Sequence, residues 1–335
     1  MLMKPKRIFL QLLWGSTFIA LGLLSLISNS AAKEYPLKPI VVVVNFPAGS
    51  STGLTGQKLA NIINQNKFLP QPMQLVYKPG GAGTIAVAEV VQGKADGYTL
   101  AYTPSAPILV QPLVKELPYN HRTLIPVVQT IRYPWLYAAK SDASWKNVQE
   151  FLDYAKKHPG EVMVATAGDY TWGHVALLDL MKASSLKFRH VPLQGDVGTI
   201  TALLGGHVPV GVVTGGSLMA HVTAGKLRLL ASAETERSPS APDVPTIKEL
   251  GYDVKGTTHT NFLIAPKDTP LEIVEMLSAA FKKAIDTSDF AAFMKDVGGS
   301  PGYVGYKELP EFIDSVVKET AQLLEGIGVK VKKTQ

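Results

Sequence analysis

The chain has 335 residues, 46% hydrophobic and 18% charged, a composition that fills packed cores and excludes a disordered or fibrous chain. Its mean hydropathy of only +0.12 argues against a polytopic membrane protein. Cysteine is absent, which removes thiol catalysis, disulfide frameworks, Cys-ligated zinc and a lipid-modified N-terminal cysteine, while the net charge of +6 raises the question of nucleic acid.

The N-terminal segment answers that question. Lys4, Lys6 and Arg7 precede an uncharged stretch from Ile8 to Ile27, and the small residues Ser30-Ala31-Ala32 follow. This is the three-part layout of a secretory signal peptide, residues 1–32, with cleavage expected after Ala32 and the protein exported to the periplasm. The apolar stretch is also long enough to span a bilayer, so an uncleaved anchor is the alternative reading. Losing three of the 33 cations leaves 30 against 27 acids, a net +3. The remaining Lys and Arg are scattered, with no basic stripe interleaved with aromatics, so no nucleic-acid partner is expected.

The remaining length suits two domains. Ile40 to Val44 is a β-branched run of the kind buried on both faces of a parallel sheet. A Gly/Ser/Thr loop and a helical pattern from about Leu54 to Asn64 follow, then a strand at Leu75 to Tyr77, a Gly-rich loop, a helix from about Thr84 to Gln92 and a strand at Tyr98 to Tyr102. This rhythm predicts right-handed crossovers and a parallel α/β sheet. Pro126 to Ala139 has strand character, Val148 to Lys157 reads as a helix, Val162 to Ala165 as a strand and Trp172 to Ala183 as a helix. Strands are expected at Phe188 to Val191, Val208 to Val213 and Leu227 to Ala231, with a helix at Gly198 to Leu204. The tail predicts a strand near Phe262 to Ala265 and helices at about Leu271 to Thr287 and Leu309 to Leu324, with a short one over 289–296 between them. Thr269 before Pro270 reads as the N-cap of the first, and the last eight residues read as a solvated tail.

Three loops share one design: a strand ends, Gly and small hydroxylated residues follow, and a helix begins. They are 46–53, 80–84 and 165–171. A helix start presents unpaired N–H groups and about half a positive charge, Gly admits a ligand close to the backbone, and Ser and Thr add hydroxyl donors. One such loop is an ordinary capped turn; three together point to an anion site at the carboxyl ends of the strands. Enzyme motifs fare badly. Gly81-Ala82-Gly83-Thr84-Ile85-Ala86 fits a partial dinucleotide fingerprint, but the expected acid about 20 residues on is not clear, and it is the second such loop rather than the first. There is no phosphate loop, no G-x-S-x-G elbow and no paired metal-ligating His spacing, so no cofactor and no metal are expected. His174, at a helix start, reads as a capping or packing residue, and Ser50-Ser51 lack a base at readable spacing.

Tyr35-Pro36, Phe46-Pro47-Ala48-Gly49, Lys78-Pro79-Gly80-Gly81-Ala82-Gly83-Thr84 and Ala95-Asp96-Gly97-Tyr98-Thr99-Leu100 occur in order with His190-Val191-Pro192, Leu203-Leu204-Gly205-Gly206, Ala224-Gly225-Lys226-Leu227-Arg228 and the stretch from Arg237 to Thr246. From about Tyr35 to the C-terminus this set resembles the tripartite tricarboxylate transporter solute receptors, the Bug family. The resemblance implies an α/β, two-lobed periplasmic binding protein fold of type II-like form, each lobe a mainly parallel sheet flanked by helices. It places the first lobe at 33–130 plus 257–335 and the second at 131–256, with crossings near Val127 to Ala138 and Asn261 to Ala265. It further implies a monomeric, non-enzymatic receptor that captures a small carboxylate and docks on membrane permease subunits; a sensor kinase could use the same closed form. Carried over, Ala48, Gly49, Ser50, Ser51, Thr52, Ala82, Gly83 and Thr84 form the base of the site, and Thr166, Ala167, Gly168 and Thr171 face them. Phe46, Thr103, Asp169 and Trp172 complete the candidate set.

Departures from the family pattern concentrate in the same places. The family loop usually reads P-A-G-G-G-T-D, where this chain has Pro47-Ala48-Gly49-Ser50-Ser51-Thr52-Gly53, without the acid. Asp169, Tyr170 and Trp172 stand where small residues are usual, and an acid and an amide after the Val208 strand are replaced around Pro209 and Thr214-Gly215. Large aromatics add stacking surface and remove volume, so the expected ligand carries an aromatic ring or an amino group, the latter paired to Asp169. An exported enzyme is the competing reading, and it requires two convergent ionisable groups with perturbed pKa values.

Overall fold

A computed structural model describes residues 35–239 and 241–332; the expected signal peptide, 1–32, lies outside them. Chain order begins with β1 (Ile40–Val44), α1 (Ser51–Gln65), β2 (Met73–Tyr77), a 3-10 turn at Gly81–Gly83, α2 (Thr84–Val91) and β3 (Thr99–Pro104). β1 pairs in parallel with β2 on one side and β3 on the other, as the buried β-branched run requires. Two short helices, α3 (Ala106–Leu109) and α4 (Gln111–Val114), lead into β4 (Leu124–Lys140), a strand of 17 residues. Prolines at the starts of α3 and α4 supply the fixed φ of a first helical turn, where no N–H is needed.

The second lobe repeats the plan with α5 (Val148–Lys157), β5 (Met163–Thr166), α6 (Trp172–Ser184), β6 (Arg189–Pro192), α7 (Gly195–Leu204), β7 (Val210–Thr214), α8 (Gly215–Thr223) and β8 (Leu227–Ser232). β5 lies parallel between β6 and β7. The chain returns through β9 (Thr258–Pro266) and ends in α9 (Leu271–Ile285), α10 (Ser288–Asp296), β10 (Ser300–Gly305) and α11 (Leu309–Gly326).

The two sheets share β4. Its first part, Leu124 to Pro134, pairs antiparallel with β9, and its second part, from Trp135, pairs antiparallel with β7 and β8. β9 also pairs antiparallel with β3, so each sheet is parallel at its outer strands and antiparallel where it meets the hinge. The β4–β9 ladder slips register at Pro126/Val128 and again at Gln129/Ile131. A proline cannot donate to a ladder, so Pro126 sits where the pairing is already interrupted. One core packs α1 and α9 onto the first sheet through Leu59, Leu100, Val128, Leu263 and Leu277; a second packs Leu136, Ala165, Leu203 and Leu218 in the other lobe.

α1 begins three residues before the expected Leu54, because Ser50 is its N-cap. The Ser50 Oγ accepts from the Gly53 N–H at 3.1 Å and donates to the Pro47 carbonyl at 2.6 Å. That pair of bonds folds the turn 47–50 back over the first turn of α1. A Cβ added at Gly53 would overlap the carbonyls of Pro47 and Ala48, so the acid of the family loop has no room unless the turn moves. Gly53→Ala is therefore expected to destabilise the fold by about 1–3 kcal/mol through overpacking, and Gly53→Asp at least as much. Urea unfolding checks this; unchanged midpoints for both would show that the turn is not held as described.

Candidate functional site

Five strand-to-helix corners converge between the lobes. At the first, Asn45 follows β1 and its amide donates to the Gly83 carbonyl at 3.0 Å and to the Thr103 Oγ1 at 2.7 Å, tying together the ends of β1 and β3 and the second corner. That second corner needs glycine: Gly83 has φ +92°, and a Cβ there would fall 2.7 Å from the Asn45 amide and 2.9 Å from the Phe46 ring. The third corner, after β5, is closed by Thr171, whose hydroxyl donates to the Gly168 carbonyl at 2.9 Å. A Cβ on Gly168 would lie 3.3 Å from that of Ala82, so corners two and three face each other across the cleft.

The fourth and fifth corners are additions to the expected set. After β6, Gly195 starts α7, and a Cβ there would lie 3.2 Å from the Phe46 ring. Asp196 follows in the first turn. After β7, Thr214 is the N-cap of α8 and Ser217 lies in its first turn. The Asp196 Oδ2 accepts from the Ser51 hydroxyl at 2.9 Å, the Thr214 hydroxyl at 2.5 Å and the Ser217 hydroxyl at 3.3 Å. Ser51 also contacts the hydroxyls of Thr214 and Ser217 directly. The starts of α1, α7 and α8 thus meet at one carboxylate across the cleft. Further bonds between the lobes run from the Trp172 indole to the Ser105 hydroxyl, 2.9 Å, and from the Gln111 amide to the Asp169 carbonyl, 2.7 Å.

Two spaces lie among these corners and share lining residues. The inner one, about 20 Å³, is lined by residues that include Phe46, Thr52, Trp135, Thr171, Trp172, Asp196 and His259; it holds about one water. The outer one, about 380 Å³, is lined by Gly80 to Gly83 of the second corner and by Pro192 to Gly195, and shares Phe46 and Ala167 with the inner space. Of the residues expected from sequence, Phe46, Thr52, Ala82, Gly83, Ala167, Thr171 and Trp172 line these spaces. Ser50, Ser51, Thr84, Thr103, Thr166 and Gly168 lie behind the walls as caps and braces, and Ala48 and Gly49 are exposed. Asp169 is about half exposed, on the far side of the third corner, with its carboxylate 3.6 Å from the His190 ring. Asn45, Trp135, Asp196 and His259 were not foreseen. For Asp196 a usable signal existed, since Gln194-Gly195-Asp196 and Thr214-Gly215-Gly216-Ser217 follow strands in the same Gly-and-polar design as the other three loops.

Two buried polar atoms on the inner wall take no side-chain partner among the described residues, the Asp196 Oδ1 and the Trp135 Nε1, and the buried His259 ring has the Asn261 side chain beside it. Burial raises the Asp196 pKa, opposed by its hydroxyl donors. Burial lowers that of His259 to about 4, so its ring is neutral. Two ionisable groups with perturbed pKa values therefore line one cavity, as the enzyme reading requires. They do not form a catalytic pair. Ser51 bonds Asp196, and His259 contacts no nucleophile. Asp169, His174 and His190 bring possible ligand atoms within 4.8 Å. However, the two imidazoles stack at 3.7 Å and 8°, so their in-plane lone pairs run parallel rather than converge, and the His174 Nδ1 already accepts the Tyr170 N–H. Among the described residues no helix is long and apolar enough to cross a membrane.

Residues 59–329 match the family model described as the tripartite tricarboxylate transporter family receptor. The UPF0065 protein in the gbd 5′ region of Cupriavidus necator is 33% identical over 312 residues, 92% of this chain and 94% of the relative. The solved structure of the periplasmic binding protein BugD is similar with a TM-score of 0.83 at 25% identity, over 88% of this chain and 99% of that one. MatC from Rhodopseudomonas palustris, solved with bound malate, has a TM-score of 0.80 at 26% identity, over 87% and 100%.

His259 carries a pH signature. Its folded pKa lies below the unfolded value of about 6.5, so the unfolded chain takes up a proton first as pH falls. The neutral native ring then loses stability between about pH 6.5 and 4, by up to ~3 kcal/mol. Thermal melts across that range should fall in the wild type and fall less steeply in His259→Gln, where the buried His174, lowered to about 3, keeps part of the slope; equal slopes in the two would remove His259 as a cause.

Proposed function

Because the chain belongs to the tripartite tricarboxylate transporter receptor family, we propose that it is a periplasmic solute-binding protein that captures a small organic carboxylate in the interlobe cleft and delivers it to a tripartite tricarboxylate-type membrane permease. The observation that carries this reading is the meeting of helix starts from both lobes around one small cavity whose walls, with those of the outer space, hold no Lys or Arg. N–H groups and helix dipoles then supply the positive potential for an anion. The malate bound by MatC is a ligand of the same chemical class.

Residues 33–130 with 257–335 act as one lobe and 131–256 as the other, hinged on β4 and β9. The ligand carboxylate rests on the glycine corner at the start of α2, with Thr52 of α1 toward the inner space and the corner at Thr166 to Thr171 and the Trp172 ring closing over it. Closure is a shift between open and closed populations, set by how much better the ligand binds the closed one. The bond from Ser51 to Asp196 and the bond from Trp172 to Ser105 span the cleft and would hold the closed form. The closed form is what a permease would recognise. The role is binding without chemistry, as membership of a receptor family supports.

A panel of mono-, di- and tricarboxylates in calorimetry and thermal shift tests this. At least one should bind and raise the melting temperature, with about 2.7 kcal/mol of added stability at a hundredfold excess over Kd. It should be recovered chemically unchanged. Absence of binding by every carboxylate, or conversion of the bound one, would overturn the reading.

A further inference from the structure

We propose that the carboxylate captured here carries its own protonated amine, with Asp196 as the acceptor that reads it; this rests on the capture function above. The Asp196 side chain is only 5% exposed and is divided in use. Oδ2 takes three hydroxyl donors and the Thr214 N–H also bonds the carboxylate, whereas Oδ1 takes no side-chain donor, and the residue lines the inner cavity. An unmet buried acceptor is costly, more so when charged, so a group that satisfies it on closure gains affinity.

Charge balance selects the kind of group. The starts of α1, α7 and α8 are already turned toward the Asp196 carboxylate. A ligand with carboxylates alone would bring a second negative charge beside it, in walls without Lys or Arg. A zwitterion resolves the conflict: its ammonium meets Oδ1 in the inner space while its carboxylate lies toward the glycine corner in the outer one. The rest of the inner wall suits a compact cation. His259 is neutral, so it does not repel it, and Phe46, Trp135 and Trp172 supply aromatic lining. An inner space of about 20 Å³ takes only a small headgroup. Asp169, exposed and paired with His190, is not needed for this role.

Calorimetry with matched ligands decides it: succinate against aspartate and malate, and glutarate against glutamate. The amine member should bind at least tenfold tighter than its plain partner. Asp196→Asn keeps the shape and removes the charge, and should erase most of that difference. Circular dichroism checks that the variant folds; where it does not, the wild-type pairs alone decide. Plain diacids binding as tightly as the amines would overturn the proposal and leave carboxylate capture standing. Malate equal to aspartate would overturn the need for a cation. Failure of all five ligands, together with the wider carboxylate panel, would instead overturn the capture function itself.

Discussion

One buried carboxylate joins the two halves of this molecule. Asp196 sits in the first turn of α7, and it accepts hydroxyls from the N-cap and first turn of α8 in its own lobe and from the first residue of α1 in the other. Each helix start carries partial positive charge, and three of them would repel if brought together empty. A single fixed anion lets them converge. The approach is tight: a Cβ on Gly216 would lie 2.9 Å from that of Ser51, so only glycine permits the start of α8 to come so near α1. Closure of the cleft and its electrostatics are therefore the same contact viewed twice.

The hinge strands add the second constraint. β4 and β9 carry Trp135 and His259 to the inner wall, and the two rings meet edge to face with centroids 5.4 Å apart. A buried indole without a side-chain hydrogen-bond partner is expensive in a finished core. Both rings sit where the lobes pivot, on strands that the rest of the sheet holds in register. Such positions remain fixed while the walls around them move, which is what a ligand-reading surface requires.

Much of this fold is legible in the sequence, and the failures have specific causes. The run from Ile40 to Val44 and the long strand through Pro126 to Ala139 stand out because β-branched and apolar residues leave few alternatives. The short helices α3 and α4 are absent from the expected elements: each is four residues long, too short for a periodic pattern, and opens on a proline, Pro107 or Pro112. α8 was missed for a related reason, two glycines at its start. β10 contains Pro301 and two glycines and pairs along one edge of β4 across a bulge, so its assignment rests on tertiary pairing rather than on local preference.

The site divides along the same line. Loops that combine strand end, glycine and hydroxyl announce themselves, and the three recognised do face a common space. Asp196 does not, because an acid in the first turn of a helix is usually a solvated partner of the dipole. What distinguishes it is burial and three donors drawn from residues 18 to 145 positions away, which no local pattern encodes. The departures from the family loop then become one coordinated change. The acid missing at Gly53 has no room under the Ser50-capped turn, and Thr214, in another stretch that departs from the family pattern, donates to Asp196. A pocket lined this way keeps the anion-binding helix starts of its scaffold while changing what must sit beside the anion.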